Sequence, residues 1–104
     1  MKHWPASPAV LAHQCLQRAL LARIGSARVV REACTPWASA TFTGSRHVWQ
    51  MRIEGASVSD ATRHGAATLQ DAEFDLPGSI LADISATWAD EGGLTIEALT
   101  VEAG

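Results

Sequence analysis

The sequence predicts an α+β fold: a two-layer sandwich in which a four-stranded, mainly antiparallel sheet carries two helices on one face. Three observations lead there. The stretch after Ser7 places apolar residues three to four apart, as on one stripe of a helix. The stretches 38–54 and 80–102 alternate apolar and polar residues, as half-buried strands do, and a second helical stretch lies between them. The resulting order, helix, two strands, helix, two strands, is an αββαββ pseudo-duplication. At 104 residues the chain reads as one domain over 1–104, with an N-terminal arm at 1–7.

Ser7-Pro8 opens the first helix, and Ala9 to Ile24 is rich in Ala, Leu, Gln and Arg, all good helix formers. Leu11, Cys15 or Leu16, Ala19, Leu20 and Ile24 form its buried stripe, and Gly25-Ser26 ends it. Ala27 to Cys34 suits strand through Val29 and Val30 and helix through Arg28, Arg31, Glu32 and Ala33; strand is the expectation. Pro36 breaks that element, or marks a bulge or an edge. Ala38, Ala40 and Phe42 then alternate with Ser39, Thr41 and Thr43 as a strand, Gly44-Ser45 supplies a hairpin turn, and His47, Trp49, Met51 and Ile53 form the apolar phase of the next strand.

Gly55 closes that strand, and Ser57-x-x-Asp60 resembles a capping box for a helix over about Val58 to Asp71. Its inner stripe is expected at Val58, Ala61, Gly65, Leu69 and Ala72, with Gly65 allowing close backbone approach to the sheet. Leu76-Pro77-Gly78 turns the chain into a strand on which Ile80, Ala82, Ile84, Ala86 and Trp88 share one phase. Asp90-Glu91-Gly92-Gly93 is a hairpin signal, and Leu94, Ile96 and Ala98 continue the apolar face to about Glu102. The pairs Ile53-Glu54 and Ile96-Glu97 are the little residue-level repetition that accompanies the repeated pattern.

Composition removes several classes of function. Hydrophobic residues make up 47% of the chain and charged residues 18%, too apolar a balance for a disordered chain. The longest apolar runs, such as Ala19 to Ala22, fall far short of the roughly 20 residues that span a bilayer, so no membrane role is expected. His13, Gln14, Gln17 and Arg18 interrupt what a secretory signal would need as an unbroken apolar run. Cys15 and Cys34 are the only cysteines and form no C-x-x-C pair, so reduced thiols in a bacterial-type cytoplasm are expected. The formal charge of −3 hides an asymmetry: all eight Lys and Arg lie between Lys2 and Arg63, and eight of the eleven acids lie beyond. Such polarity is neutralised within the fold or steers a partner, including a second subunit.

No motif demands chemistry. His13 and Cys15, two apart on a helix, point about 200° apart and cannot chelate one metal from that helix, and Cys34, His47 and His64 could join them only through the tertiary fold. No metal or other cofactor is expected. Cys34, His47, His64 and Asp60 permit a nucleophile, base and acid set without a motif that suggests one, so no catalytic residue is assigned. Neither a nucleotide-binding glycine motif nor a calcium loop is present. Arg18, Arg23, Arg28, Arg31, Arg46 and Arg52 offer a basic surface, but the acidic whole argues against nucleic acid.

Four tryptophans are many for this length. Trp49 and Trp88 sit on apolar strand phases and read as core, whereas Trp4 and Trp37 read as interface residues. On the opposite strand phase, Arg52 is positioned to pair with Asp83 or Glu97 across a sheet face open to a partner. The expectation is a noncatalytic accessory protein that acts by protein interaction, as a homodimer, with Trp4, Trp37, Arg52 and Asp83 as interface residues. A small-molecule pocket between helices and sheet using His47 or His64 is one alternative, and a nucleic-acid accessory using Arg18, Arg23 and Arg28 is another.

Overall fold

A computed structural model of the chain describes residues 7–55, 58–89 and 92–103. Within them α1 spans Pro8–Ile24 and opens where the sequence places it. Ser7 Oγ accepts a hydrogen bond from the Val10 N–H at 3.2 Å, Pro8 occupies the first turn, and the Gly25 N–H closes the helix onto Leu21 O. Strand β1 (Ala27–Ala38) resolves the ambiguous stretch as strand, followed by β2 (Thr43–Ile53), α2 (Asp60–Ala67), a 3-10 turn at Leu69–Asp71, β3 (Ser79–Trp88) and β4 (Gly93–Glu102). The four strands form one sheet in the order β1-β2-β4-β3, antiparallel at every pairing. Each αββ unit contributes one hairpin, and the second strands of the two units join at the centre.

The first hairpin turns earlier than expected. β1 runs through Pro36 to Ala38, and the connection is Ser39 to Phe42, while Gly44 and Ser45 already belong to β2. Ser39 explains the choice: its Oγ accepts from the N–H groups of Thr41 and Phe42, and its N–H donates to Phe42 O at 2.7 Å. Ala38, Ala40 and Phe42 are all exposed, so their alternation reflects no buried face. Pro36 is tolerated because β1 is an edge strand. Gly44 is required for another reason, since a Cβ there would lie 2.0 Å from Thr100 O and 2.9 Å from the Trp37 ring.

Two bulges reset the strand phases. The β1–β2 register shifts between Val29 and Arg31, leaving Val30 exposed, and the β3–β4 register shifts between Leu81 and Asp83. The second shift breaks the predicted five-residue phase of β3: Ile80 lies 60% exposed, while Ile84 is buried and Ala86 and Trp88 are half-buried against the core. Ile53 ends β2 whereas Ile96 sits within β4, so the two Ile-Glu pairs are not equivalent positions.

The second helix is shorter than the predicted Val58–Asp71 and is capped by Ser59, whose Oγ accepts from the Thr62 N–H at 3.1 Å; Ser57 lies outside the described residues. Its buried side is Thr62, Gly65 and Ala66, with Ala61 exposed. It packs on the end of α1 and not on the sheet at Gly65, where a Cβ would lie 2.9 Å from Arg23 O. Thr62 Oγ1 donates to Ile24 O, and Arg23 donates to Gly65 O and to Thr68, so each helix end supplies the other's missing partners. Beneath them Leu16, Leu20 and Ile24 of α1, Trp49, Met51 and Ile53 of β2, Ile84 of β3, and Leu94, Ile96 and Ala98 of β4 join Ala66, Leu69 and Leu76 in one core.

Candidate functional site

At the far end of the inner sheet face the core turns polar. In-out alternation along β2 and β4 brings Ser45, His47 and Thr100 inward, and β1 adds Glu32 and Cys34 opposite Trp49 and His47. α1 crosses above and lowers His13 among them. The helix periodicity that buries Leu16 and Leu20 also buries Ala12 and His13, two positions the expected stripe missed.

The two imidazoles face each other, with Nδ1 of His13 3.0 Å from Nδ1 of His47. Their outer nitrogens are both held. His13 Nε2 lies 2.8 Å from Glu32 Oε1, and His47 Nε2 lies 2.9 Å from Thr100 Oγ1. The rings of His13, His47 and Trp49 stack, and the Trp49 Nε1–H donates to Gln17 Oε1 at 3.1 Å. His47 is fully buried, and its pKa is lowered to about 4, first by desolvation and then by the charge of His13. One donor atom each of His13, Cys34 and His47 lie within 4.8 Å of one another, with Cys34 on the exposed side. A groove of about 600 Å³ lined by His13, Gln14, Gln17, Arg18, Leu21 and Glu32 opens beside the pair.

The same strands present a second surface on the uncovered face. Register places Trp37, Gly44, Val101 and Ile80 in one row across all four strands, and Thr35, Arg46, Leu99 and Asp83 in the next. Ala33, Val48, Glu97 and Ser85 form the third row. Basic residues therefore gather on the β1–β2 side as Arg28, Arg31, Arg46 and Arg52, and acids on the β4–β3 side as Glu97 and Asp83.

Of the residues singled out from sequence, Trp4 lies outside the described residues. Trp37 is half-buried across Gly44, with its Nε1 buried and lacking a hydrogen-bond partner among the described residues. Arg52 and Asp83 are both exposed on the open face but are not cross-strand neighbours: β4 separates their strands, and Arg52 lies six residues along β2 from Arg46, about 20 Å at strand rise. Arg52 stands opposite Arg28 and Gly93, and Arg46 is the base that shares the row of Asp83. His64 is exposed on α2 and stays apart from His47. Arg23 is committed to holding α2. Among the described residues no helix is long and apolar enough to cross a membrane, and both cysteines are free thiols. No protein-family model, curated protein or solved structure matches the chain.

Proposed function

We propose that this chain is a noncatalytic accessory domain of a bacterial cytoplasm that acts by protein interaction, first by pairing with a second copy of itself through the open sheet face. The observation that carries the reading is the split of charge across that face, basic on β1–β2 and acidic on β4–β3. A two-fold axis parallel to the strands lays β1–β2 of one copy over β4–β3 of the other, so each cross-strand row meets itself reversed. Arg46 then stands opposite Leu99 and one strand away from Asp83 of the second copy, within reach of its long side chain, and Trp37 meets Ile80. An axis across the strands would stack arginine on arginine, so charge selects the first arrangement.

Area supports the same occupant. Four strands about 4.8 Å apart and ten residues long present on the order of 600 Å² in projection, close to the roughly 800 Å² per partner of a stable interface once side-chain relief is counted. Two free thiols suit a reducing compartment.

Light scattering at low and high salt tests the reading, with a dimer expected at low salt. Arg46→Glu and Asp83→Arg should each give monomers, and mixing the two variants should restore a dimer, because both contacts then become opposite in sign. A wild type that stays monomeric at high concentration in both salts removes the reading, and so does a mixture that remains monomeric.

A further inference from the structure

We infer that His13, Cys34 and His47 form a binding site for a transition-metal cation of borderline softness, zinc by chemistry, held between α1, β1 and β2. The site does not depend on association through the opposite face.

The argument starts from proton positions. With the Thr100 hydroxyl donating to Ser45 O at 3.4 Å, Oγ1 is left to accept from His47 Nε2–H, and in that tautomer His47 Nδ1 carries a lone pair. Glu32 is a carboxylate acceptor and requires an N–H on His13 Nε2. If His13 is neutral, its Nδ1 also carries a lone pair, and two lone pairs then face each other 3.0 Å apart in a buried place. In that tautomer a positive charge between them removes the repulsion. A proton on His13 is one solution, and a metal cation bound by both Nδ1 atoms is the other.

The surroundings favour the cation. Metal-bound histidines are held at their far nitrogen by a carboxylate, carbonyl or similar acceptor, which fixes the tautomer and aims the ligating lone pair. Here both histidines are held in that way, one by Glu32 and one by Thr100, and in each the nitrogen left over is the Nδ1 that faces the other ring. Three elements of the fold, far apart in sequence, contribute one donor each.

The distances suit zinc with small adjustments. Bonds of about 2.0–2.1 Å to nitrogen and 2.3 Å to sulfur give tetrahedral edges of about 3.3 Å between nitrogens and about 3.6 Å from nitrogen to sulfur. The imidazoles need to part by a few tenths of an ångström, and the thiol, within 4.8 Å, needs to swing in by about an ångström. Cys34 is exposed, so its side chain has the freedom to rotate. Two imidazoles with one thiolate select zinc or copper over magnesium or calcium. With three protein ligands and Cys34 on the solvent side, the fourth position is left to water or to a ligand from outside.

Titration of the reduced, untagged, metal-free full chain with cobalt(II) tests the site. One cobalt per chain is expected, with a thiolate-to-cobalt charge-transfer band in the near ultraviolet, the strong visible bands of a tetrahedral ion, and displacement by zinc. Cys34→Ser should remove the charge-transfer band and weaken binding at least tenfold; being exposed, that position leaves the fold intact. His13→Gln should also weaken binding at least tenfold, with circular dichroism confirming the fold. Cys15→Ser should change nothing. The site is refuted by no saturable binding, by a charge-transfer band that survives Cys34→Ser or vanishes in Cys15→Ser, or by one cobalt shared between two chains.

Discussion

On the helix-covered face of β2 and β4 the polar side chains of His47 and Thr100 are buried and hydrogen-bonded at 2.9–3.4 Å; on the open face of the same strands the charged side chains Arg46, Arg52 and Glu97 are exposed and mixed in sign. His47 and Thr100 on the inner face are 0% and 1% exposed and are tied to His13 and Ser45. One residue along, Arg46 and Leu99 face outward beside Asp83. Burying imidazoles and hydroxyls carries a desolvation cost that hydrogen bonds only offset, and an apolar replacement of similar size is often as stable. A buried polar cluster is therefore a stronger pointer to chemistry than an exposed one. The outer face holds charges at little cost, and its information lies in the pattern of signs.

The two faces meet at Gly44, and the largest effect is expected there. Gly44→Ala sets a methyl group 2.0 Å from Thr100 O and against the Trp37 ring that lies across the sheet. Neither a central strand nor a half-buried indole yields easily, so the loss should be about 3 kcal/mol or more. Urea denaturation measures it. A change below about 1 kcal/mol would mean that the β2–β4 pairing is looser at this end than the register implies.

Acid should next separate the faces. His47 is neutral in the fold down to about pH 4, whereas in the unfolded chain it gains a proton near 6.5. Between those values the unfolded state binds more protons. Stability is therefore full above about pH 6.5 and falls by about 1.4 kcal/mol per pH unit on the way down, to a total near 3 kcal/mol. The groups around this ring are His13 from α1, itself bonded to Glu32 of β1, Cys34 from β1 and Thr100 from β4, so the slope should be read with a chelator present and against His47→Leu. The variant should lose about one proton's worth of slope; an unchanged slope would assign acid sensitivity elsewhere.

Thr100→Val tests the inner face more gently. It leaves the buried His47 Nε2 without its hydrogen-bond partner, a cost of about 1–3 kcal/mol, whereas Ser85→Ala on the outer face should stay within about 0.5 kcal/mol. Equal costs would erase the distinction between the faces.

Much of the fold was legible because it rests on periodicity. The α1 stripe, the inward phase of β2 from His47 to Ile53, and the Leu94, Ile96, Ala98 phase of β4 are local patterns that burial converts directly into structure. The misses share a cause: one residue or one distant contact overrides the pattern. Ser39 takes the hairpin turn from Gly44-Ser45, the bulge at Leu81–Asp83 turns Ile80 outward, and Arg23 O meeting Gly65 places α2 against α1. The histidine cluster was illegible for a stronger reason. His13, Cys34 and His47 stand on three elements with no shared motif, and only the β1–β2 register and the crossing of α1 bring them together. A faint signal existed in His13, which lies three residues before Leu16 and so on the same helix stripe.

The smallest stability change should carry the clearest message about the open face. Asp83→Arg alters an exposed side chain, so in dilute solution, where the chain is dissociated, it should move the melting temperature very little. At concentrations where the wild type is dimeric, each tenfold rise adds about 1.4 kcal/mol per dimer by mass action, or roughly 0.7 per chain. At about 4–8 °C per kcal/mol for a domain of this size, the wild-type melting temperature should climb by about 3–6 °C per tenfold increase. The Asp83→Arg variant should not climb at all, and high salt should flatten the wild-type slope, because the contact that Asp83 makes is ionic and exposed at its rim. A wild-type melting temperature that ignores concentration would detach the charge split from self-association while leaving the histidine site on the other face untouched.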